Sequence, residues 1–401
     1  MIPTLTLKPR EDERIRAGHL WVFRDELRNV PSGVATGDVV RVCSAQGISL
    51  GTGLYHSTST IAVRLVGGEV EALDADFFTA RLRAAAALRD RMLPGEASYR
   101  LVFGESDLLS GLIIDRYNDV CVVQMLSAGM DQRRDAIVEA IRAVLPGVRG
   151  IMERNTAKVR EKEGLELRDG VLWGTVPDQL DIVENGLTYR IDVTGGQKTG
   201  YFLDQRINRA WVGAVSRGKR VLDCFCNVGG FAINAAAGGA LSALGIDSSA
   251  AAVESARRNA ELNGLTNADF EQANVFDVLR READMGRQWD VIILDPPSFA
   301  KSRSAVPRAH AGYAELNRAA MRVLAPNGIL VSASCTQLVP EAALMDIIYA
   351  EAARMRRRLR LLHRGEQAPD HPVLLAMPET QYLKFLAFDV IDPDGRGKLS
   401  A

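Results

Sequence analysis

From about residue 185 onward, short apolar runs alternate with helix-forming stretches, and the runs give way to acids, glycines or a Pro-Pro pair. This alternation narrows the available folds more than any other feature. Apolar runs too short to be helices read as strands buried on both faces, and buried strands joined by helices make a layered α/β sheet of parallel strands. The runs are Arg220–Phe225, Leu241–Ile246, a third candidate over Asp269–Asp277, one ending in Asp295-Pro296-Pro297-Ser298-Phe299, and Gly328–Ser334, which leads into Cys335. Open α/β sheets bind ligands at the carboxyl ends of their strands. Asp247, Asp295 and Cys335 are therefore the first residues to ask about.

The rest of the chain has a different texture. Residues 1–68 hold short alternating stretches such as Val39-Val40-Arg41-Val42 and Ile61-Ala62-Val63-Arg64-Leu65, which predict a small β-rich module ending near Gly67-Gly68. Residues 69–184 combine helical patterns at Phe77–Met92 and Asp131–Val144 with strand patterns at 111–115 and 120–124, an α+β mixture. The expected division is thus 1–68, 69–184 and 185–401. No apolar run approaches the roughly 20 residues that span a bilayer, and the N-terminus lacks the pattern of a signal peptide, so the expectation is a cytoplasmic protein without membrane contact.

Five scattered cysteines without a Cys-x-x-Cys argue against a disulfide framework, and scattered histidines argue against a metal site. Cys224 and Cys226 read as buried apolar residues. The net charge of −1 weighs against a nucleic-acid partner, but the charges are patchy. Arg354, Arg356, Arg357, Arg358, Arg360 and Arg364 crowd one segment, read as a solvated helix face, and Lys301, Arg303 and Arg308 follow the Pro-Pro turn.

After Arg220–Phe225 comes Asn227-Val228-Gly229-Gly230-Phe231, then a helix-forming stretch at Ala232–Ala240. Strand, glycine turn and helix let a ligand approach the backbone. An acid ending the second strand, Asp247, is placed to accept hydrogen bonds from ribose hydroxyls, and the acid ending the third candidate, Asp277 in Asn274-Val275-Phe276-Asp277, could meet an adenine amino group. A dinucleotide site would carry Gly-x-Gly-x-x-Gly, which is lacking. The loop instead resembles the S-adenosylmethionine site of class I methyltransferases, with Phe225, Asn227, Gly229, Asp247, Asn274, Asp277 and Asp295 as cofactor contacts. For Asp223 a turn-forming role and a cofactor contact are equally open.

The string Gly195-Gly196-Gln197-Lys198-Thr199-Gly200-Tyr201-Phe202-Leu203-Asp204-Gln205-Arg206 narrows the resemblance, together with Ala368-Pro369-Asp370-His371-Pro372-Val373, Tyr382-Leu383-Lys384 and Gly18-His19-Leu20-Trp21-Val22-Phe23. With these, the chain resembles, nearly end to end, the bacterial class I methyltransferases with an N-terminal PUA domain that make 5-methylcytosine in large-subunit rRNA. It departs from them at Asn227-Val228, where relatives carry Tyr-Thr. The resemblance implies a PUA-like barrel, a central α+β domain and a Rossmann-like catalytic domain. It also implies S-adenosylmethionine as cofactor and large-subunit (23S) rRNA as partner, naked or in an assembly intermediate; a homodimer is left open.

Carbon 5 of cytosine is a poor nucleophile, and a thiolate added at carbon 6 activates it. Cys335 is the expected nucleophile and Asp295 the group at the cytosine edge. Pro296 and Pro297 would fix the loop so that Phe299 packs with the base, while Lys301, Lys198 and Arg206 would meet RNA or, for the last two, the cofactor carboxylate. His371 is polar support or structural. Two other readings stay open. One is methylation of a base nitrogen, which needs no nucleophile; the other is an RNA-binding assembly factor that no longer turns over.

Overall fold

A computed structural model describes residues 2–196 and 199–391. The chain forms two compact units. The first comprises residues up to Ile182 with Ile191–Leu203 and Pro369–Gln381; the second comprises Val183–Arg190, Asp204–Ala368 and residues from Tyr382 onward.

The first unit contains two sheets. One is six-stranded and is built from Thr4–Leu7, Trp21–Phe23, Leu27–Asn29, Val39–Cys43, Ser49–Tyr55 and Ile61–Leu65. Its strands turn Leu5, Leu7, Val22, Val40, Val42 and Val63 into one core. The other sheet is five-stranded: Ser98–Phe103, Leu112–Tyr117, Val120–Met125, Gly150–Asn155 and Arg168–Gly174. Val120–Met125 is central and buried along its whole length; its one polar side chain, Gln124, donates to Arg154 O at 2.9 Å. Helix Ala75–Met92 starts where the Asp74 carboxylate accepts the Phe77 N–H, and it buries Phe78, Leu82 and Ala85 in the core of this sheet.

The second unit is built on a seven-stranded sheet. Its strands are β1 (Arg220–Cys224), β2 (Ser242–Asp247), β3 (Ala268–Gln272), β4 (Trp289–Leu294), β5 (Leu324–Ser334), β6 (Arg358–Gly365) and β7 (Lys384–Ile391). The helices are α1 (Arg206–Val215), α2 (Gly230–Ala237), α3 (Ala250–Leu262), α4 (Val275–Asp284), α5 (Val306–Val323) and α6 (Glu341–Arg354). The spatial order is β3-β2-β1-β4-β5-β7-β6. The chain starts in the middle, winds outward through β3, then returns to β4 beside β1, so the direction of winding reverses between β1 and β4. A crevice for ligands opens at the carboxyl ends of such a pair. Register places those ends together: Cys224 lies level with Ile246 and Leu294, and Leu294 with Ser332.

Four expectations about local structure need correcting. The sheet is parallel only from β3 to β5; β7 runs antiparallel to β5, and β6 antiparallel to β7. Asp277 does not end a strand. β3 stops at Gln272, and the Asn274 side chain accepts the Phe276 N–H, starting α4 and placing Asp277 in its first turn. Helix α2 begins two residues earlier than expected and stops at Ala237, because Gly238 and Gly239, the latter at φ 90°, end it. The arginine-rich segment is mostly strand. α6 ends at Arg354, and Arg358, Arg360 and Arg364 lie on β6 at the sheet edge, where charge discourages pairing with another chain.

Among the described residues no helix is long and apolar enough to cross a membrane, and no group of His, Cys, Asp or Glu could hold a metal ion.

Candidate active site

The loop after β1 has an unusual backbone. Phe225, Asn227 and Gly229 all have positive φ, at 68°, 49° and 88°. Left-handed geometry costs a bulky residue such as Phe225 about 1–3 kcal/mol, so the surroundings must enforce it. They do so through three hydrogen bonds: Cys226 N–H to Ile246 O (2.8 Å), Gly229 N–H to Cys226 O (2.8 Å) and Asn227 N–H to Asp247 Oδ2 (3.0 Å). A Cβ on Gly229 would come within 2.9 Å of Ile233 Cδ1, and one on Gly230 within 2.5 Å of Arg209 Nε. At both positions the space of a side chain is already filled by protein atoms, so glycine is what lets the loop pack this closely and lead straight into the N-terminus of α2.

Asp247 stands at the end of β2. Its oxygens accept the N–H groups of Asn227 and Ser249, and each retains a lone pair for a hydroxyl. It therefore ties the glycine loop to β2 and can bind a ribose. Asn274 is exposed and caps α4. Asp277 is also exposed, paired with Arg280 at 3.3 Å. Asp223 is fully buried and its Oδ2 accepts the Ala232 N–H at 2.9 Å, joining β1 to α2. Burial first, and then the charges of Asp295 and Asp247, push its pKa up to about 7, against the pull of the Ala232 N–H and Arg209.

Asp295 and Cys335 leave the adjacent strands β4 and β5 at the same edge. The Asp295 N–H reaches Cys224 O at 3.5 Å, and its Oδ2 accepts from Gln205 Nε2 at 3.0 Å. Gln205 is itself braced: its Oε1 accepts from Asn208 Nδ2 at 2.6 Å. Cys335 is half-buried, with its two neighbours turned inward. Ser334 Oγ and Thr336 Oγ1 both meet the buried Tyr313 hydroxyl, at 2.8 and 2.9 Å. Thr336 Oγ1 also accepts the Phe299 N–H and contacts Ser298 Oγ, which ties the Pro-Pro loop to the cysteine loop. Burial raises the Tyr313 pKa, with Cys335 and Asp295 adding to it and the Ser334 and Thr336 bonds opposing.

Not every candidate joins this cluster. Phe299 is half-buried and packs on Tyr313, with ring centroids 4.7 Å apart. Pro296 is buried, while Pro297 and Lys301 are exposed. Arg206 is in the interior, where it and Arg209 offset the fully buried Glu184 at 3.6 and 2.8 Å, so a surface role is ruled out by that carboxylate's need for countercharge. Lys198 lies outside the described residues. His371, in the first unit, is buried against Asp370 and Phe103, a structural position. Cys224 and Cys226 are buried, and burial and the Asp223 charge raise both thiols well above the ordinary range.

Sequence reasoning missed Gln205, Tyr313 and Lys384. Gln205 and Lys384 stand in strings that carried the family resemblance, but nothing in their spacing says that one braces Asp295 and the other lies behind Cys335. Tyr313 reads as one more core residue of α5.

A family model for S-adenosylmethionine-dependent methyltransferases matches residues 169–388, and one for PUA-like domains matches residues 5–67. Among curated proteins, the ribosomal RNA large subunit methyltransferase I of Shewanella denitrificans is 40% identical over 95% of this chain and 98% of its own. That of Photobacterium profundum is 40% identical over 96% and 99%. Among solved structures, a protein from Streptococcus mutans described as a SAM-dependent methyltransferase superposes with TM-score 0.82 at 24% identity, over 97% of this chain and 100% of that one. SMU.776, described as a methyltransferase complexed with SAH, gives 0.84 at 24% identity over the same shares. The glycine cradle, Asp247 and the crevice between β1 and β4 suit S-adenosylmethionine, and the chain belongs to the S-adenosylmethionine-dependent methyltransferase family, in a full-length relationship with the ribosomal RNA large subunit methyltransferase I proteins.

Proposed function

We propose that this chain methylates carbon 5 of a cytosine in large-subunit rRNA, with Cys335 as covalent nucleophile. The observation that carries the reading is the meeting of Cys335 and Asp295 at one sheet edge, on neighbouring strands, beside the cofactor crevice. A thiol has no task in methylating a nitrogen, which favours carbon 5 over the nitrogen reading; the intact glycine cradle favours turnover over a silent assembly factor.

In this reading Phe225, Asn227, Gly229, Asp247 and Asn274 hold S-adenosylmethionine, which supplies an electrophilic methyl group. The target cytosine is turned out of its stack to lie between Asp295 and Cys335. The Cys335 thiolate adds to carbon 6, and the electron pair displaced toward carbon 5 makes that carbon nucleophilic. Asp295, held by Gln205, faces the ring nitrogens and stabilises the protonated ring. After methyl transfer a base removes the hydrogen at carbon 5, the ring double bond re-forms, and the carbon–sulfur bond breaks to release the thiolate. The 1–68, 69–184 and 185–401 parts serve as PUA-like RNA-binding, central and catalytic regions, with basic residues such as Lys301 meeting phosphate. A substrate of this kind places the protein in the cytoplasm.

RNA containing 5-fluorocytosine tests the chemistry, because no proton can leave carbon 5 after methylation. The expected result is a covalent adduct mapped to Cys335, absent in Cys335→Ala, which keeps its cofactor affinity. Methylation at normal rate by Cys335→Ala, an adduct on Cys224 or Cys226, or a nitrogen-methylated product would overturn it.

A further inference from the structure

We infer that Lys384 is the positioning residue for Cys335: fixed behind the Ser334–Thr336 segment, it holds the cysteine loop and provides the charge against which the thiol ionises. The inference rests on the reading of Cys335 as nucleophile. Lys384 is the first residue of β7 and pairs with Ser334, the residue before Cys335, in the antiparallel register of β5 and β7. Its side chain is buried, at 8% exposure. A lysine is rarely placed there without a partner for its charge.

Its hydrogen-bond partners are two carbonyls. Nζ donates to Thr336 O at 2.7 Å and to Tyr382 O at 2.9 Å. The second anchor is itself secured, since the Tyr382 hydroxyl donates to the buried Asp204 carboxylate. Carbonyls accept two of the three ammonium protons but neutralise nothing. Among the described residues the groups with a charge interaction on Lys384 are Cys335 and Glu341, and Glu341 is already paired with Arg364 at 2.9 Å. Tyr313, from α5, and Asp295, from β4, also face this end of β5, and neither is a cation. The Cys335 thiolate is thus the anion that this buried ammonium is left to balance.

Burial pushes the Lys384 pKa down to about 8, and the neighbouring Cys335 and Glu341 charges oppose that fall, so the side chain still carries its proton at neutral pH. The other thiols are treated in the opposite way. Burial raises Cys224 and Cys226, raises Cys43 against the pull of Arg41, and lifts Cys121 to about 12 against the pull of Arg116. A nearby cation is what lowers a thiol pKa, and only the thiol at the sheet edge has Lys384 behind it among the described residues.

The test is the pH dependence of Cys335 alkylation by iodoacetamide in the full-length protein without RNA, followed by peptide mass spectrometry. Wild type should show a midpoint below the ordinary thiol value of about 8.5. Lys384→Met should shift it upward by roughly one unit or more, and Lys384→Arg should restore most of the shift. Methyl transfer by Lys384→Met should fall about 100-fold at pH 7 and recover partly at pH 9, with S-adenosylmethionine affinity unchanged. An unchanged midpoint in folded Lys384→Met overturns the inference. If that variant does not fold, a wild-type midpoint at or above about 8.5 overturns it equally. A normal 5-fluorocytosine adduct with an unshifted midpoint removes Lys384 alone; a shifted midpoint with no adduct in wild type removes the nucleophile reading instead.

Discussion

Asp223→Asn probes the electrostatics beneath the site through stability. The wild-type carboxyl is fully buried, with Oδ2 taking the Ala232 N–H and Oδ1 without a hydrogen-bond partner among the described residues. Its pKa rises from 3.8 to about 7 on folding. Because the folded value is the higher one, the native protein holds an extra proton between those limits. The resulting stabilisation is fully present below the unfolded pKa of 3.8 and is lost as pH rises through about 7, at up to about 1.4 kcal/mol per pH unit. From pH 4.5 to 6.5, where the slope falls off toward pH 7, this amounts to about 2.5 kcal/mol. Asparagine can still accept the Ala232 N–H and cannot ionise. It leaves an amide N–H without a ready partner, a pH-independent offset of about 1–3 kcal/mol. The difference in stability between variant and wild type should therefore move in favour of the variant by about 2.5 kcal/mol across this window, whatever its starting value. Urea unfolding read by pulsed hydrogen exchange of peptides covering residues 220–237 reports the second unit directly. A difference that stays flat from pH 4.5 to 6.5 would refute the argument and mean that the buried carboxyl ionises with an ordinary pKa.

Two further outcomes follow from the site. Asp247→Ala removes a charged acceptor that also anchors the Asn227 N–H, so S-adenosylmethionine affinity measured by calorimetry should weaken by about 2–3 kcal/mol; unchanged affinity in a folded variant would detach Asp247 from the cofactor. Gln205→Leu removes the bond that orients Asp295, so methyl transfer should fall by roughly tenfold while cofactor affinity holds; equal losses in both would show that Gln205 supports the fold rather than the carboxylate.

The one-dimensional pattern determined the layered sheet, because a strand buried on both faces must be largely apolar, and runs such as Val291–Leu294 and Leu330-Val331 could not be hidden otherwise. It determined which residues end the strands, so Asp247, Asp295 and Cys335 could be picked out without coordinates. It failed where a local hydrogen bond decides between states: the Asn274 cap turned the end of a presumed strand into the first turn of α4. It also failed for β6, where a charged run that reads as a helix face is an edge strand, and for the antiparallel direction of β7, which pairing across the sheet decides and no local period specifies. Only the tertiary structure joined Gln205 to Asp295, Tyr313 to the residues flanking Cys335, and Lys384 to Thr336. Contacts between residues so far apart in sequence depend on which strands become neighbours, and that is settled by the packing of the whole sheet rather than by any segment of it.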